Sequence, residues 1–106
     1  MLIEFPADDL ERARRFWQEL LGIALETRRE SEGRGLQSRA STPSWLGLHE
    51  RGPGPGDRGP LPYFPVDDLP RSLERVVELG GSIVHPGARW AICRDTEGTP
   101  FGLAQR

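Results

Sequence analysis

Apolar and polar positions along this chain change period twice, in the same order each time. Leu2 to Phe5 is a short strand-like run, and Pro6-Ala-Asp-Asp breaks it. Leu10, Ala13, Phe16, Trp17, Leu20 and Leu21 then recur at helical spacing, which predicts a helix with one stripe packed on a sheet. Arg12, Arg15, Gln18 and Glu19 fall on its wet side. Asp8, with Glu11 three residues on, has the form of a capping box, and Gly22 stands where a left-handed residue ends a helix. From Ile23 the period drops toward two. Ile23–Glu30 reads as a strand, Ser31–Gly35 as a turn, Leu36–Ala40 as the returning strand and Ser44–Glu50 as a fourth.

The second half repeats this order in less space. Leu61–Pro65 is strand-like, Asp67-Asp68 and Pro70 open a helix, and Leu69, Leu73, Val76, Val77 and Leu79 form its apolar stripe. Gly80-Gly81 end it. Ser82–His85, Arg89–Arg94 and Pro100–Gln105 follow as strands, with turns at Pro86-Gly87 and Asp95–Gly98.

The echo extends to residue identity. Shifting Phe5–Gly22 by fifty-nine positions onto Phe64–Gly81 gives nine identical residues in eighteen, without a gap. Trp45–Glu50, WLGLHE, is answered by Pro100–Gln105, PFGLAQ. Two copies of one supersecondary unit, each too small to bury a core alone, are expected to complete each other. The predicted fold class is therefore α+β, with two tandem βαβββ modules in a single domain over 1–106. Module one is 1–50, a Gly/Pro-rich connector is 51–60 (RGPGPGDRGP), and module two is 61–106.

Composition narrows the classes. Apolar residues at 36% and charged residues at 28% describe a globular chain, neither a disordered tail nor a membrane span. The formal charge of −2 is spread without a like-charge block, so no nucleic-acid footprint is expected, and Arg28-Arg29 read as a solvated strand face. Cys93 stands alone, which excludes an internal disulfide and suits a reducing cytoplasm. No signal peptide is visible at the N-terminus. All fourteen basic residues are Arg, and Asn is absent, a codon signature that suggests a bacterial source. No Ser-His-Asp order, phosphate loop or CxxC is present, and Cys93 lacks a His at a spacing that would make it a nucleophile.

FPADDLERARRFWQELLG, VDDLPRSLERVVELGG and RDTEGTPFGLAQR together resemble the vicinal oxygen chelate superfamily. That superfamily includes glyoxalase I, extradiol dioxygenases and the fosfomycin- and bleomycin-resistance proteins. The resemblance spans essentially the whole chain. It implies paired curved sheets enclosing a groove, and a homodimer, but no particular reaction. Metal-dependent members hold a divalent ion with His, Glu or Gln side chains on four strands. The positions that the resemblance implies for those ligands are Leu2, Gly47, Leu61 and Gly102 here, none of which can coordinate a metal.

Side chains two apart on a strand share a face, which adds Glu4, His49 and Tyr63 to the groove side. The leading expectation is a small-molecule-binding protein without metal or other cofactor, sequestering a drug or metabolite. Leu2, Glu4, Trp45, Gly47, His49, Leu61, Tyr63, Trp90 and Gly102 would line its groove. Two alternatives stay open: a metal-dependent lyase, isomerase or dioxygenase with ligands displaced to Glu4 and His49, and a catalytically silent interaction module. His85, before Pro86, is expected at an exposed strand end, and Trp17 in the core.

Overall fold

The computed structural model describes residues 1–30, 33–39 and 45–106. The predicted strand ends at Ala40 and Ser44, the link between them, and the start of the Ser31–Gly35 turn lie outside these. The chain divides into two compact units, Met1–Pro60 and Leu61–Arg106. Each has two layers, a helix on one face of a four-stranded mixed sheet, and each runs βαβββ.

In the first unit β1 (Leu2–Ala7) leads to α1 (Leu10–Leu21), then β2 (Leu25–Thr27), β3 (Leu36–Ser38) and β4 (Leu46–Glu50). The strand order is β2-β3-β4-β1. The β1 and β4 strands pair in parallel, Glu4 beside Gly47 and Pro6 beside His49, while β3 runs antiparallel to both neighbours. A parallel pair needs a long crossover, and α1 with the β2–β3 hairpin supplies it. Residues 51–60, expected to be only a connector, contain a 3-10 turn at Pro55–Asp57 and fall within this first unit.

The second unit repeats the plan with β5 (Leu61–Val66), α2 (Leu69–Glu78), β6 (Ser82–His85), β7 (Trp90–Arg94) and β8 (Pro100–Gln105). Its order is β5-β8-β7-β6, with β5 and β8 parallel and Tyr63 beside Gly102.

The helix caps correct one expectation. Asp9, not Asp8, is the N-cap of α1, in extended backbone with its carboxylate accepting from the Arg12 amide. Asp68 does the same for α2 through the Arg71 amide. Asp8 instead accepts from Arg51 Nε at 2.8 Å on the surface. Gly22 closes α1 at φ 65°, a left-handed conformation that a side chain would strain.

Only part of each helix's apolar set reaches the core. Leu10, Ala13 and Trp17 pack with Phe5 and Ile23 on buried Leu25, Leu36, Leu46 and Leu48. Phe16, Leu20 and Leu21, expected on the same stripe, are exposed. A helix on one sheet buries an arc of about three residues per two turns, and the apolar set here is wider than that arc. In α2, Leu69, Leu73 and Val76 pack on Ala91, Cys93 and Leu103, whereas Val77 and Leu79 stay exposed. Among the described residues no helix is long and apolar enough to cross a membrane.

Candidate functional site

Strand alternation sends Phe5, Leu46 and Leu48 toward α1 and turns Glu4, Gly47 and His49 to the opposite face. Register then sets Gln37, Gly47 and Glu4 side by side on β3, β4 and β1. Gly47 is the floor of that row. A Cβ there would collide with the Arg28 guanidinium and the Glu4 carboxylate, so both groups lie directly over the glycine. Arg28 follows β2, and its side chain, expected in solvent, is buried.

A chain of charged contacts crosses this face. Arg28 donates from Nη2 to Glu4 Oε2 at 2.5 Å, from Nε to Gln37 Oε1 at 2.9 Å and from Nη1 to the Arg34 carbonyl at 3.1 Å. Glu4 Oε1 lies 3.0 Å from His49 Nδ1, and His49 Nε2 lies 2.6 Å from Asp57 Oδ1. Asp57 belongs to the 3-10 turn. Its other carboxylate oxygen accepts from the Gly54 amide, and its carbonyl accepts from Arg51 Nη1.

Glu4 is only 4% exposed. Burial alone would raise its carboxyl pKa, but the hydrogen bonds from His49 and Arg28 outweigh that and hold it below the usual value. The hydrogen bond to Glu4 raises His49, burial opposes this, and the contact with Asp57 adds to the rise. When protonated, the imidazolium donates from both nitrogens, and the row then reads plus, minus, plus, minus from Arg28 to Asp57.

These residues do not fit a metal. The four positions that the resemblance implies carry no donor side chain, and Gly47 is covered. Among the described residues no group of three or more His, Cys, Asp or Glu could hold an ion. Glu4 and Asp57 sit on opposite nitrogens of the His49 ring, so their oxygens and the ring do not converge on one point about 2.0–2.2 Å from each.

The second unit places different chemistry on the matching face. Tyr63, the repeat counterpart of Glu4, lies over Gly102 so closely that a Cβ there would meet its ring. At both Gly47 and Gly102, neighbouring side chains fill the space that a Cβ would take. Trp90 meets Tyr63 edge-on at 6.3 Å, and His85 stacks on Trp90 at 5.1 Å. His85 is exposed, Trp90 and Tyr63 are half-buried, and Leu61 is buried. On the first unit, Leu2 is half-buried and Trp45, just before β4, is exposed. Trp17 belongs to the first core, 4.9 Å from Phe5. Cys93 is buried in the second, where burial raises its thiol pKa and keeps it a poor nucleophile.

Sequence reasoning singled out Glu4 and His49 but missed Arg28, Gln37 and Asp57. The faint signal for Arg28 is that a carboxylate alternating with strand apolar residues needs a buried cation somewhere in the chain. Nothing in RGPGPGDRGP points Asp57 at His49.

Two βαβββ units, each with its first and last strands in parallel, define the vicinal oxygen chelate fold. The sequence profile of the glyoxalase-like domain matches residues 2–104, and the chain belongs to that family. No curated protein matches the sequence. Among solved structures, a Legionella pneumophila protein described as an NAD-dependent benzaldehyde dehydrogenase is similar at TM-score 0.71 and 13% identity, covering 98% of this chain and 96% of its own. Methylmalonyl-CoA epimerase from Streptomyces coelicolor matches at TM-score 0.68 and 16% identity, over 97% and 90% of the two chains. A glyoxalase/bleomycin resistance protein/dioxygenase superfamily member from Vibrio splendidus gives 0.62 and 17%, over 99% and 97%. At these identities the likeness is one of fold, and the names share no single reaction.

Proposed function

We propose that this protein binds a flat organic molecule, a drug or a metabolite, without using a divalent metal. The observation that carries this reading is the aromatic surface on the second unit, where His85, Trp90 and Tyr63 meet on the sheet face opposite α2. Aromatic side chains offer large contact area with little rotamer freedom to lose, which suits a planar ligand. Leu61 is a further candidate contact on this unit, and Leu2, Trp45 and His49 are candidate contacts on the first unit, each unit taken by itself. In this reading Glu4 and Gly47 are neutralised and covered, and act as structure rather than as ligand contacts. We also propose a homodimer, in which a second copy covers apolar side chains such as Phe16, Leu20 and Leu21, and a cytoplasmic setting that suits the free Cys93.

A thermal-shift screen of planar aromatic compounds, run with EDTA and again with divalent ions, tests the reading. A binder at 100 times its Kd stabilises by roughly 2.7 kcal/mol. The expected hit raises the midpoint equally in both conditions and loses its effect in Trp90→Ala. A hit that needs the metal would favour the displaced-ligand enzyme, and a screen with no hit would favour the silent module.

A further inference from the structure

The Arg28 guanidinium sits in a nest built for a cation. Glu4 Oε2, Gln37 Oε1 and the Arg34 carbonyl converge on it at 2.5, 2.9 and 3.1 Å, from β1, β3 and the segment between β2 and β3. Gly47 forms the floor without a side chain, and any Cβ there would meet Arg28 Nη2. All three are oxygens, one of them of a buried carboxylate, and oxygen is the ligand type that hard cations take from proteins. Here the positive charge comes from the chain itself.

We propose that Arg28 is the resident cation of this site, and that its guanidinium excludes external cations from these three oxygens by occupancy. The inference deepens the metal-independent reading above and rests on it. The covalently tethered guanidinium cannot dissociate or be chelated, and its fork donates in three directions at once, which a compact ammonium does less well. Removing it leaves the Glu4 carboxylate buried with His49 as its remaining partner, over a floor of glycine. That space becomes a site for a small free cation.

The test uses Arg28→Ala and, as a milder change that keeps most of the volume, Arg28→Gln. Each is melted with methylguanidinium chloride, with MnCl2 or with NaCl at about 10 mM, far below denaturing concentrations. Arg28→Ala is expected to melt on the order of 10 °C below wild type, because it strands a buried charge. Methylguanidinium or Mn2+ should raise the midpoint of the Arg28 variants by several degrees relative to NaCl and leave wild type unmoved. Adding Glu4→Gln to Arg28→Ala should restore part of the loss and abolish the rescue. The proposal is overturned if both Arg28 variants respond to the added cations no more than wild type does. It is equally overturned if rescue persists after Glu4→Gln. No organic ligand enters these melts, so an empty ligand screen leaves their outcome independent.

Discussion

His49 Nδ1 lies 3.0 Å from Glu4 Oε1, joining the first strand of the unit to its last across a sequence separation of 45. The same ring holds Asp57 through Nε2 at 2.6 Å, so one imidazole ties β1, β4 and the 3-10 turn together.

This arrangement makes stability depend on pH in a stated direction. His49 is raised above its ordinary 6.5 in the folded protein. A raised folded pKa means that the imidazolium favours the native state fully below about pH 6.5, and that the contribution fades as pH rises through the folded value. The thermal midpoint should therefore fall as pH rises above about 6.5 and through the folded value, and His49→Gln should flatten that limb. Glu4 is shifted the other way from 4.5, so its contribution is present above that value and is lost as pH falls through the lower folded one. Melting curves between about pH 3 and 9 check both limbs.

Gly47→Ala should destabilise by about 1–3 kcal/mol, since its methyl must displace the buried Arg28–Glu4 pair. Gly102→Ala should cost a similar amount by pushing on Tyr63. Combined with Tyr63→Ala, its additional cost should shrink well below the single-variant value, a coupling that a double-mutant cycle by urea unfolding measures directly.

The two aspartate pairs should separate cleanly. Asp9→Ala and Asp68→Ala each remove a cap and should cost about 1 kcal/mol. Asp8→Ala breaks only an exposed pair with Arg51 and should cost about 0–1 kcal/mol. Equal losses at Asp8 and Asp9 in chemical denaturation would contradict the cap assignment.

Purified protein should carry no stoichiometric divalent metal, and EDTA should leave its midpoint unchanged. Elemental analysis near one equivalent, lost in both Glu4→Ala and His49→Ala, would reverse the proposal in favour of a displaced metal site.

Light scattering at micromolar concentration should give twice the chain mass of 11.8 kDa. Replacing Phe16 and Leu20 with Glu should shift it to one chain with the fold retained, because both side chains are exposed. A wild-type mass of one chain would remove the dimer.

The sequence by itself determined the doubled βαβββ order, because helical and strand periods are local properties and the repeat states them twice. Alternation alone placed Leu46 and Leu48 opposite Gly47 and His49, and the DDL turns marked both helix starts to within one residue. It did not determine how much of each apolar stripe would be buried: Phe16 and Leu20 match Trp17 in pattern, and only the position of the sheet sorts them. Nor did it decide the partners of the charges. Arg28 resembles any other strand arginine until β2, β3, β4 and β1 fall into register and bring a carboxylate from 24 residues away over a glycine. Tyr63 and Glu4 occupy equivalent repeat positions and cover equivalent glycines, yet one unit builds an ion row there and the other an aromatic surface. Local pattern fixes which face a side chain takes, whereas the tertiary structure decides what it meets there, since burial makes a charge's stability depend on partners distant in the chain.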